Sequence, residues 1–225
     1  MNGITKHIFL AGGGDEKDSR PLDEQFVEVL DLAKPLVYIP NAMPAKRHPS
    51  CLKWFYCVMA PLQATTIEMW SDLRPHRPIT AIAGVYLGGG NTVKLLTEIR
   101  KSGFVNYLLK AIRGGIPIYG GSAGAVIFGK DIRTAPEARR LHPEQAAGLN
   151  VLKNYSVMCH YEKRNERTVR SLLSKLGTPI IAIPEKAGAY LHEDRLTNCG
   201  TVPLLLFRDN EEIIVQAGDS TSLGQ

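Results

Sequence analysis

The chain has 225 residues, of which 44% are hydrophobic and 22% charged, and a formal net charge of +5. This composition is typical of a folded globular protein and argues against long disordered tails. The length is sufficient for one large α/β domain, and we expect a single domain over residues 1–225. The basic residues are spread along the chain instead of forming one dense block, so no nucleic-acid partner is expected.

The apolar runs and the cysteines of the sequence indicate the cellular compartment of the protein. The start, Met1 to Lys6, has no apolar segment of signal-peptide length, and no uninterrupted apolar run approaches the roughly 20 residues that span a bilayer. The 4 cysteines have neither zinc-ligand spacing nor a CxxC motif, which favours reduced structural thiols. We therefore expect a cytoplasmic protein that does not bind membranes.

The first half of the chain repeats one pattern, in which a short apolar run ends in glycine or proline and is followed by a segment with helical spacing. Buried strands that alternate with helices form parallel sheets with right-handed crossovers, so this pattern predicts an α/β fold with a doubly wound, mostly parallel sheet sandwiched by helices. The predicted strands are His7 to Leu10, Leu36 to Ile39, Thr65 to Trp70, Val85 to Leu87 and Ile116 to Tyr119. The predicted helices are Leu22 to Leu32, Arg47 to Ala60, Val93 to Arg100, Phe104 to Arg113 and Asn165 to Leu176.

The pattern changes after Pro184, where strand-like segments are joined by short polar turns such as Arg208-Asp209-Asn210. Short strands with such turns are typical of antiparallel hairpins. We expect these hairpins at the C-terminal end of the same domain. The predicted strands are Ala189 to His192, Leu196 to Cys199, Pro203 to Phe207 and Glu211 to Gln216.

The sequence GGSAG at residues 120–124 matches the GxSxG pattern. It comes directly after the apolar run Ile116 to Tyr119 and directly before a helix-like segment, Ala125 to Phe128. In this context the pattern indicates a nucleophile elbow, a strained turn that requires small neighbours. Ser122 is therefore the predicted nucleophile, and the amide of Ala123 is expected to face the developing oxyanion. The alternative is an ordinary turn in which Ser122 only caps the helix.

Two more glycine-rich turns end predicted strands, where ligands gather in open parallel sheets. The turn at residues 88–90 is suited to supply a second oxyanion donor from Gly89 or Gly90, because glycine lets backbone N–H groups approach a substrate. Asn91 follows this turn, and we expect it to contact the substrate as well as to begin a helix. The turn at residues 12–14 lacks both GxGxxG spacing and a GK[ST] ending, which favours a tight turn over a phosphate loop.

A serine hydroxyl needs a base, usually a histidine. His160 ends the strand-like run Tyr155 to Cys159, so we expect it near the other strand ends and prefer it as the base. His142 lies in a loop-like stretch and is the second candidate.

The base in turn needs a carboxylate to orient it. Glu185 directly follows the buried run Ile180 to Ile183, which again places it at a strand end. Glu137 and Asp131, in the loop after the elbow, are the other candidates. Each of these acids is also compatible with an ordinary surface charge.

At these residues the sequence resembles the family of serine peptidases that contains peptidase E (the aspartyl dipeptidase) and cyanophycinase. GGGNT together with GSAGA is a specific pair of motifs. The matching segments, spread over most of the chain up to about residue 200, are IFLAGGG near the start, YIPNA at 38–42, YLGGGNT at 86–92, YGGSAGA at 119–125, the histidine of MCHY at His160, and IPEKAG at 183–188.

The resemblance implies a fold related to class I glutamine amidotransferases, with serine where those enzymes use cysteine. No metal or organic cofactor is implied. The functional residues that it implies are the triad Ser122, His160 and Glu185 and an oxyanion hole formed by the amides of Gly89 or Gly90 and Ala123.

The resemblance also bears on the substrate, since both named members accept a carboxylate-bearing aspartyl residue and so need a cation in the pocket. Arg164 and Arg167, just after the histidine, are the predicted substrate-binding cations, because arginine binds carboxylates in bidentate fashion. The alternative is that these arginines belong to the solvated face of the following helix.

The leading hypothesis is a serine hydrolase of short peptides, a dipeptidase or exopeptidase with a preference for an acidic N-terminal residue. A cyanophycinase-like hydrolase of an aspartyl-arginine polymer and a non-catalytic binding protein on the same scaffold are the alternatives. An amidotransferase-like enzyme is disfavoured because no cysteine occupies the elbow. The expected partner is a short peptide, and the sequence leaves the oligomeric state open between a monomer and a homodimer.

Overall fold

The computed structural model describes residues 6–209 and 211–224. The expected lack of a signal segment at Met1 to Lys6 therefore falls almost entirely outside the described residues, as does Asn210 of the predicted turn. Within the described ranges, no helix is both long enough and apolar enough to cross a membrane.

The elements alternate along the chain as the sequence predicts. The helices are α1 (Arg20–Glu28), α2 (His48–Met59), α3 (Thr92–Lys101), α4 (Phe104–Arg113), α5 (Ala123–Val126), α6 (Pro143–Ala146) and α7 (Glu166–Leu176). The strands are β1 (His7–Ala11), β2 (Leu36–Ile39), β3 (Ile67–Met69), β4 (Gly84–Leu87), β5 (Ile118–Gly121), β6 (Ser156–Cys159), β7 (Ile180–Ile183), β8 (Gly188–His192), β9 (Arg195–Asn198), β10 (Leu204–Arg208), β11 (Glu211–Val215) and β12 (Ser220–Ser222).

The larger sheet has eight strands in the order β12-β9-β8-β1-β5-β4-β2-β3. The five neighbouring strands β1, β5, β4, β2 and β3 are parallel to one another. The strands β8, β9 and β12 are antiparallel additions at one edge. The prediction of a mostly parallel α/β sheet with C-terminal antiparallel strands is thus confirmed. The sequence did not predict β12, whose polar residues have no apolar alternation.

A second sheet of four strands, in the order β11-β10-β7-β6, was not predicted from the sequence. The strands β6 and β7 are a parallel pair, and β10 joins β7 in antiparallel fashion. They cannot join the larger sheet next to β1, because β8 and β5 already occupy both sides of that strand. The base and the acid predicted from these strand ends therefore lie on a different sheet from Ser122.

The core follows from alternating residues on strands that are buried on both faces. In β1, Ile8 and Leu10 pack with α3, α4 and α5, whereas Phe9 packs on the other face with α1 and α2. On α7, Val169 and Leu173 pack against the second sheet, which leaves the opposite face of this helix to solvent.

The two sheets meet at the carboxyl ends of their parallel strands. The backbone amide of His160, just after β6, donates to the carbonyl of Gly12, just after β1, at 2.9 Å. The Sγ of Cys159 lies 3.6 Å from the carbonyl oxygen of Ala11 and 3.5 Å from that of Ser122. These contacts hold the end of β6 against the ends of β1 and β5.

Candidate active site

Ser122 lies in a strained turn between β5 and α5, with φ 47° and ψ −104°. Its amide donates to the carbonyl of Ala11 at 3.1 Å, and its carbonyl accepts from the amide of Val126 at 3.0 Å, so the backbone is held on both sides. Its side chain makes no capping hydrogen bond to α5. The hydroxyl therefore does not serve the alternative role of a helix cap. The amide of Ala123 begins α5, next to this hydroxyl.

The glycines around Ser122 are explained by close packing. A Cβ atom at Gly124 would lie 2.4 Å from the carbonyl oxygen of Leu87 at the end of β4. Real Cβ atoms do not approach backbone oxygens so closely, so only glycine lets α5 start directly against β4. The GxSxG spacing thus reflects how tightly the turn is packed.

His160 contacts the serine directly. Its Nε2 atom lies 2.8 Å from the Oγ of Ser122. The residue has φ 54°, an uncommon value for a side-chain-bearing residue, and its ring lies over Gly13. A Cβ atom at Gly13, which has φ +112°, would lie 2.1 Å from the Cε1 of the imidazole. The glycine after β1, which the sequence analysis assigned only to a tight turn, therefore makes room for the histidine.

Glu185 completes a row of three side chains. Its Oε1 lies 2.8 Å from the Nδ1 of His160, and the two side chains are 53% and 50% exposed, respectively. A carboxylate can only accept here, so Nδ1 carries the proton and donates to it. The unprotonated Nε2 is then available to accept the hydroxyl hydrogen of Ser122.

The other candidates for acid and base lie elsewhere. Glu137 accepts a hydrogen bond at 2.8 Å from the amide of Thr92 at the start of α3. Asp131 is paired with Arg133 at 2.6 Å. His142 is 68% exposed, and its nearest acid, Glu144, is 4.0 Å away.

The loop after β4 presents two amides beside the nucleophile. The amides of Gly88 and Asn91 donate to backbone carbonyls at 3.0 and 2.9 Å. Among the described residues, the intervening amides of Gly89 and Gly90 have no hydrogen-bond acceptor. A Cβ atom at Gly89 would be only 3.4 Å from that of Ser122, which shows how closely this loop approaches the serine. Such free donors suit an oxyanion.

A cysteine beside the histidine raises the question of a thiol nucleophile. Burial raises the pKa of Cys159 to about 12, which keeps the thiol protonated at neutral pH. The thiol also faces backbone carbonyls and not the imidazole. Ser122 is thus the only one of the two in hydrogen-bond contact with His160.

The row of side chains opens into a cleft of about 340 Å³. Gly90, Ser122 and His160 form one side, and the loop after the elbow forms another. That loop contributes Glu137 and Arg139, and the start of the α7 region contributes Asn165. Within residues 6–209 and 211–224, no group of three or more His, Cys, Asp or Glu side chains is arranged to hold a metal ion.

The predicted substrate-binding residues do not line this cleft. Asn91 caps α3, accepting a hydrogen bond from the amide of Lys94 at 2.7 Å. Arg164 is 79% exposed and pairs with Glu162 at 2.6 Å. Arg167 lies in a neighbouring groove. The structure therefore does not bring these residues into the catalytic cleft, because Asn91 is the cap of α3, Arg164 lies in the turn just before α7 and Arg167 lies on the helix itself.

Arg139 is the cation that lines the cleft, and no sequence pattern predicted its position there. It follows a short helical turn at Pro136–Ala138, in the loop after the elbow. The only available signal was the position of this loop, since its spacing has no regular period.

The chain is similar to known peptidases over most of its length. Peptidase family S51 matches residues 8–199. Peptidase E of Shewanella sp. (strain ANA-3) is 26% identical over 200 residues, which cover 84% of this chain and 85% of that protein. Peptidase E of Shewanella denitrificans is 27% identical over 199 residues, with the same coverage.

Solved structures show the same fold. The crystal structure of a peptidase from an acI-B1 Actinobacterium superposes with a TM-score of 0.73 at 17% identity and covers 98% of both chains. A crystal structure from Listeria monocytogenes EGD-e gives a TM-score of 0.64 at 18% identity and covers 95% of this chain and 100% of its own. The chain therefore belongs to peptidase family S51, and it is a serine peptidase.

Proposed function

We propose that this peptidase hydrolyses short peptides through an acyl-enzyme on Ser122. The observation that carries the proposal is the continuous row of hydrogen bonds from the Ser122 hydroxyl through His160 to Glu185, each 2.8 Å long. A serine hydroxyl has little nucleophilicity at neutral pH, and a neutral imidazole in hydrogen-bond contact removes that limitation.

The first half of the reaction forms the acyl-enzyme. Ser122 Oγ attacks the scissile carbonyl carbon as His160 Nε2 accepts its proton, and Glu185 stabilises the resulting imidazolium. When the tetrahedral intermediate collapses, the same Nε2 gives its proton to the leaving amine as the C–N bond breaks. In the second half, water attacks the ester with His160 again as the base, and Ser122 is regenerated.

The oxyanion formed in both halves needs donors that are already in place. The free amides of Gly89 and Gly90 and the amide of Ala123 lie beside the hydroxyl and suit this role. A donor of this kind contributes on the order of 3 kcal/mol of transition-state stabilisation. Because the donors are backbone groups in tightly packed turns, little reorganisation is needed when the charge develops.

The charges of the cleft favour a substrate with an acidic residue at its N-terminus. Both Arg139 and Glu137 line the cleft, and we infer that the first binds a side-chain carboxylate and the second the α-ammonium group. A cleft of about 340 Å³ has room for a few residues of a peptide. These features support an Asp-X dipeptidase more than a hydrolase of an aspartyl-arginine polymer.

A fluorophosphonate probe and a dipeptide panel test this function. The probe is expected to label the wild type and not Ser122→Ala, whose kcat should fall by about 10⁴-fold or more. Asp-Leu should be hydrolysed faster than Leu-Leu, since only the first offers a carboxylate to Arg139.

Arg139→Gln should reduce this preference by about 10-fold or more through loss of a charge-assisted hydrogen bond. Arg140→Gln, an exposed neighbour outside the cleft, is the matched control and should keep the preference. Probe labelling that persists in Ser122→Ala would refute the nucleophile, and equal hydrolysis of both dipeptides would refute the acidic preference.

A further inference from the structure

A second concave site lies beside the catalytic cleft. It is a groove of about 370 Å³ between α7 and the loop after the elbow, and four cationic residues line it. We call it the basic groove and define it by Arg133, Arg139, Arg167 and Lys175. The proposed catalytic row, which is Ser122, His160 and Glu185, has no contact with the last two of these residues.

The face of α7 that borders the groove has a consistent chemistry. Arg167, Ser171 and Lys175 recur every four residues and so lie on one face of the helix. Thr168 adds a second hydroxyl next to them. Hydroxyls and cations on one face form a set of donors, with few acceptors among them.

In the described part of the chain, three of the four cations of the basic groove lack the ion pairs with carboxylates that neighbouring arginines have. Arg133 is paired with Asp131, and on the other side of α7 Arg170 is paired with Glu166 at 2.9 Å. In contrast, the ion pairs among residues 6–209 and 211–224 include none with Arg139, Arg167 or Lys175. Three like charges around one concavity repel one another, and an anionic ligand would remove that repulsion.

Arg139 connects the groove to the cleft, because it lines both of them. A peptide whose scissile bond lies at Ser122 and whose chain continues past Arg139 would enter the groove directly. We propose that the basic groove binds carboxylate side chains of the substrate on the leaving-group side of the scissile bond. The peptidase then accepts peptides longer than a dipeptide when acidic residues follow the cleaved bond.

This inference rests on the proposed peptidase function, and the chemistry of the groove favours an acidic peptide over other anions. Leu172 and Leu176 form part of its lining, and they suit the aliphatic stems of acidic side chains. The basic residues of the whole chain form no dense block of the kind that nucleic acids bind.

Binding to the inactive Ser122→Ala protein tests the groove without requiring turnover. The probes are fluorescently labelled Asp-Leu-Ala-Glu-Glu and Asp-Leu-Ala-Gln-Gln, measured by anisotropy at low salt. The acidic peptide is expected to bind about 10-fold more tightly, since it forms charge-assisted hydrogen bonds that its neutral analogue lacks. Adding Arg167→Glu or Lys175→Glu to the Ser122→Ala protein should abolish the difference in affinity between the two peptides. Lys53→Glu, on the exposed side of α2, has the same charge change and should preserve it.

Two results with these peptides would overturn the proposal. One is equal affinity for the two peptides, and the other is an equal effect of Lys175→Glu and Lys53→Glu. Tighter binding of an oligonucleotide than of the acidic peptide, through Lys175, would also overturn it by assigning a different ligand. If the acidic peptide binds through Lys175 but the wild type hydrolyses no peptide, the groove stands and the proposed function fails.

Discussion

The two halves of the catalytic row are held by different means. Ser122 is fixed by its backbone, in a strained turn with hydrogen bonds on both sides and with α5 packed against β4. His160 and Glu185 belong to the second sheet, and their side chains are about half exposed. The backbone of Ser122 is thus fixed by packing and hydrogen bonds, whereas the side chains of His160 and Glu185 are oriented by each other and by the contact of the imidazole with Gly13.

This difference indicates which changes should affect folding and which should affect only chemistry. A substitution under the serine disturbs well-packed atoms, and cores respond to such changes with losses of stability. A substitution at the half-exposed carboxylate removes a hydrogen bond but little packing. The second sheet is therefore where activity can be separated most cleanly from stability.

Glu185→Gln is the sharpest test of that separation, with the largest expected effect. An amide cannot hold the imidazolium as a carboxylate does, and it stabilises the wrong tautomer as readily as the right one, so kcat should fall by about 10³- to 10⁴-fold. The free energy of unfolding should change by less than about 1 kcal/mol, because an exposed ion pair contributes little. Steady-state kinetics and urea denaturation measure the two quantities.

Glu137→Gln is the matched control for the choice of acid. Glu137 accepts from the amide of Thr92 and has no contact with His160 among the described residues. A glutamine can still accept that hydrogen bond, so kcat should fall by less than 10-fold, whereas KM should rise because the proposed partner of the α-ammonium group loses its charge. If Glu137→Gln lowered kcat as much as Glu185→Gln, the assignment of the orienting role to Glu185 would be refuted.

Gly13→Ala tests how the base is supported. A methyl group would lie 2.1 Å from the Cε1 of His160, so the imidazole must move away from Ser122. Displacement of a catalytic group by about 1 Å lowers rates by roughly 10²-fold, and we expect this loss in kcat. Gly103→Ala is the control, because Gly103 has φ +77° and nothing within 4 Å of the added methyl group. Gly103→Ala should be less stable, because alanine disfavours this backbone conformation, but its kcat should be unchanged. If both variants lost kcat equally, the effect of Gly13→Ala could not be assigned to the contact with His160.

The sequence predicted most of the elements, and it predicted that Ser122, His160 and Glu185 lie close together, because these features depend on local patterns. Apolar runs that end in glycine predicted β1, β4 and β5, and the GxSxG spacing reflects the contact of Gly124 with β4. Strand ends predicted His160 and Glu185, which the structure brings together with Ser122.

The division into two sheets and the charges of the cleft were not predictable in the same way. Which strand pairs with β6 depends on competition between distant segments, and no local spacing records it. Arg164 and Arg139 look alike in the sequence, but the first pairs with Glu162 in solvent and the second lines the cleft. The direction of a side chain in an irregular loop is set by packing that forms only in the folded chain.

The smallest effect on catalysis is expected from a change at Asp23, a buried residue of α1. Asp23 is fully buried and accepts from the Oγ of Ser19 at 2.9 Å. Burial raises the pKa of this carboxyl from 3.8 to about 6. The folded state therefore binds a proton more tightly than the unfolded state, so this group favours folding at low pH. Its contribution is lost as the pH rises from about 4 to about 6.

Asp23→Asn removes this titration and leaves a side chain of the same shape. A difference of about 2 pKa units corresponds to about 3 kcal/mol over the whole titration, and the stability of the wild type relative to the variant should fall by about 2 kcal/mol between pH 4 and pH 7. Urea denaturation of both proteins across this range measures the difference, and titrations common to both proteins cancel. The kcat for a dipeptide should change by less than about 10-fold, because Asp23 supports the sheet and does not contact the catalytic row. A stability difference that is constant with pH would show that the carboxyl titrates normally in the folded protein.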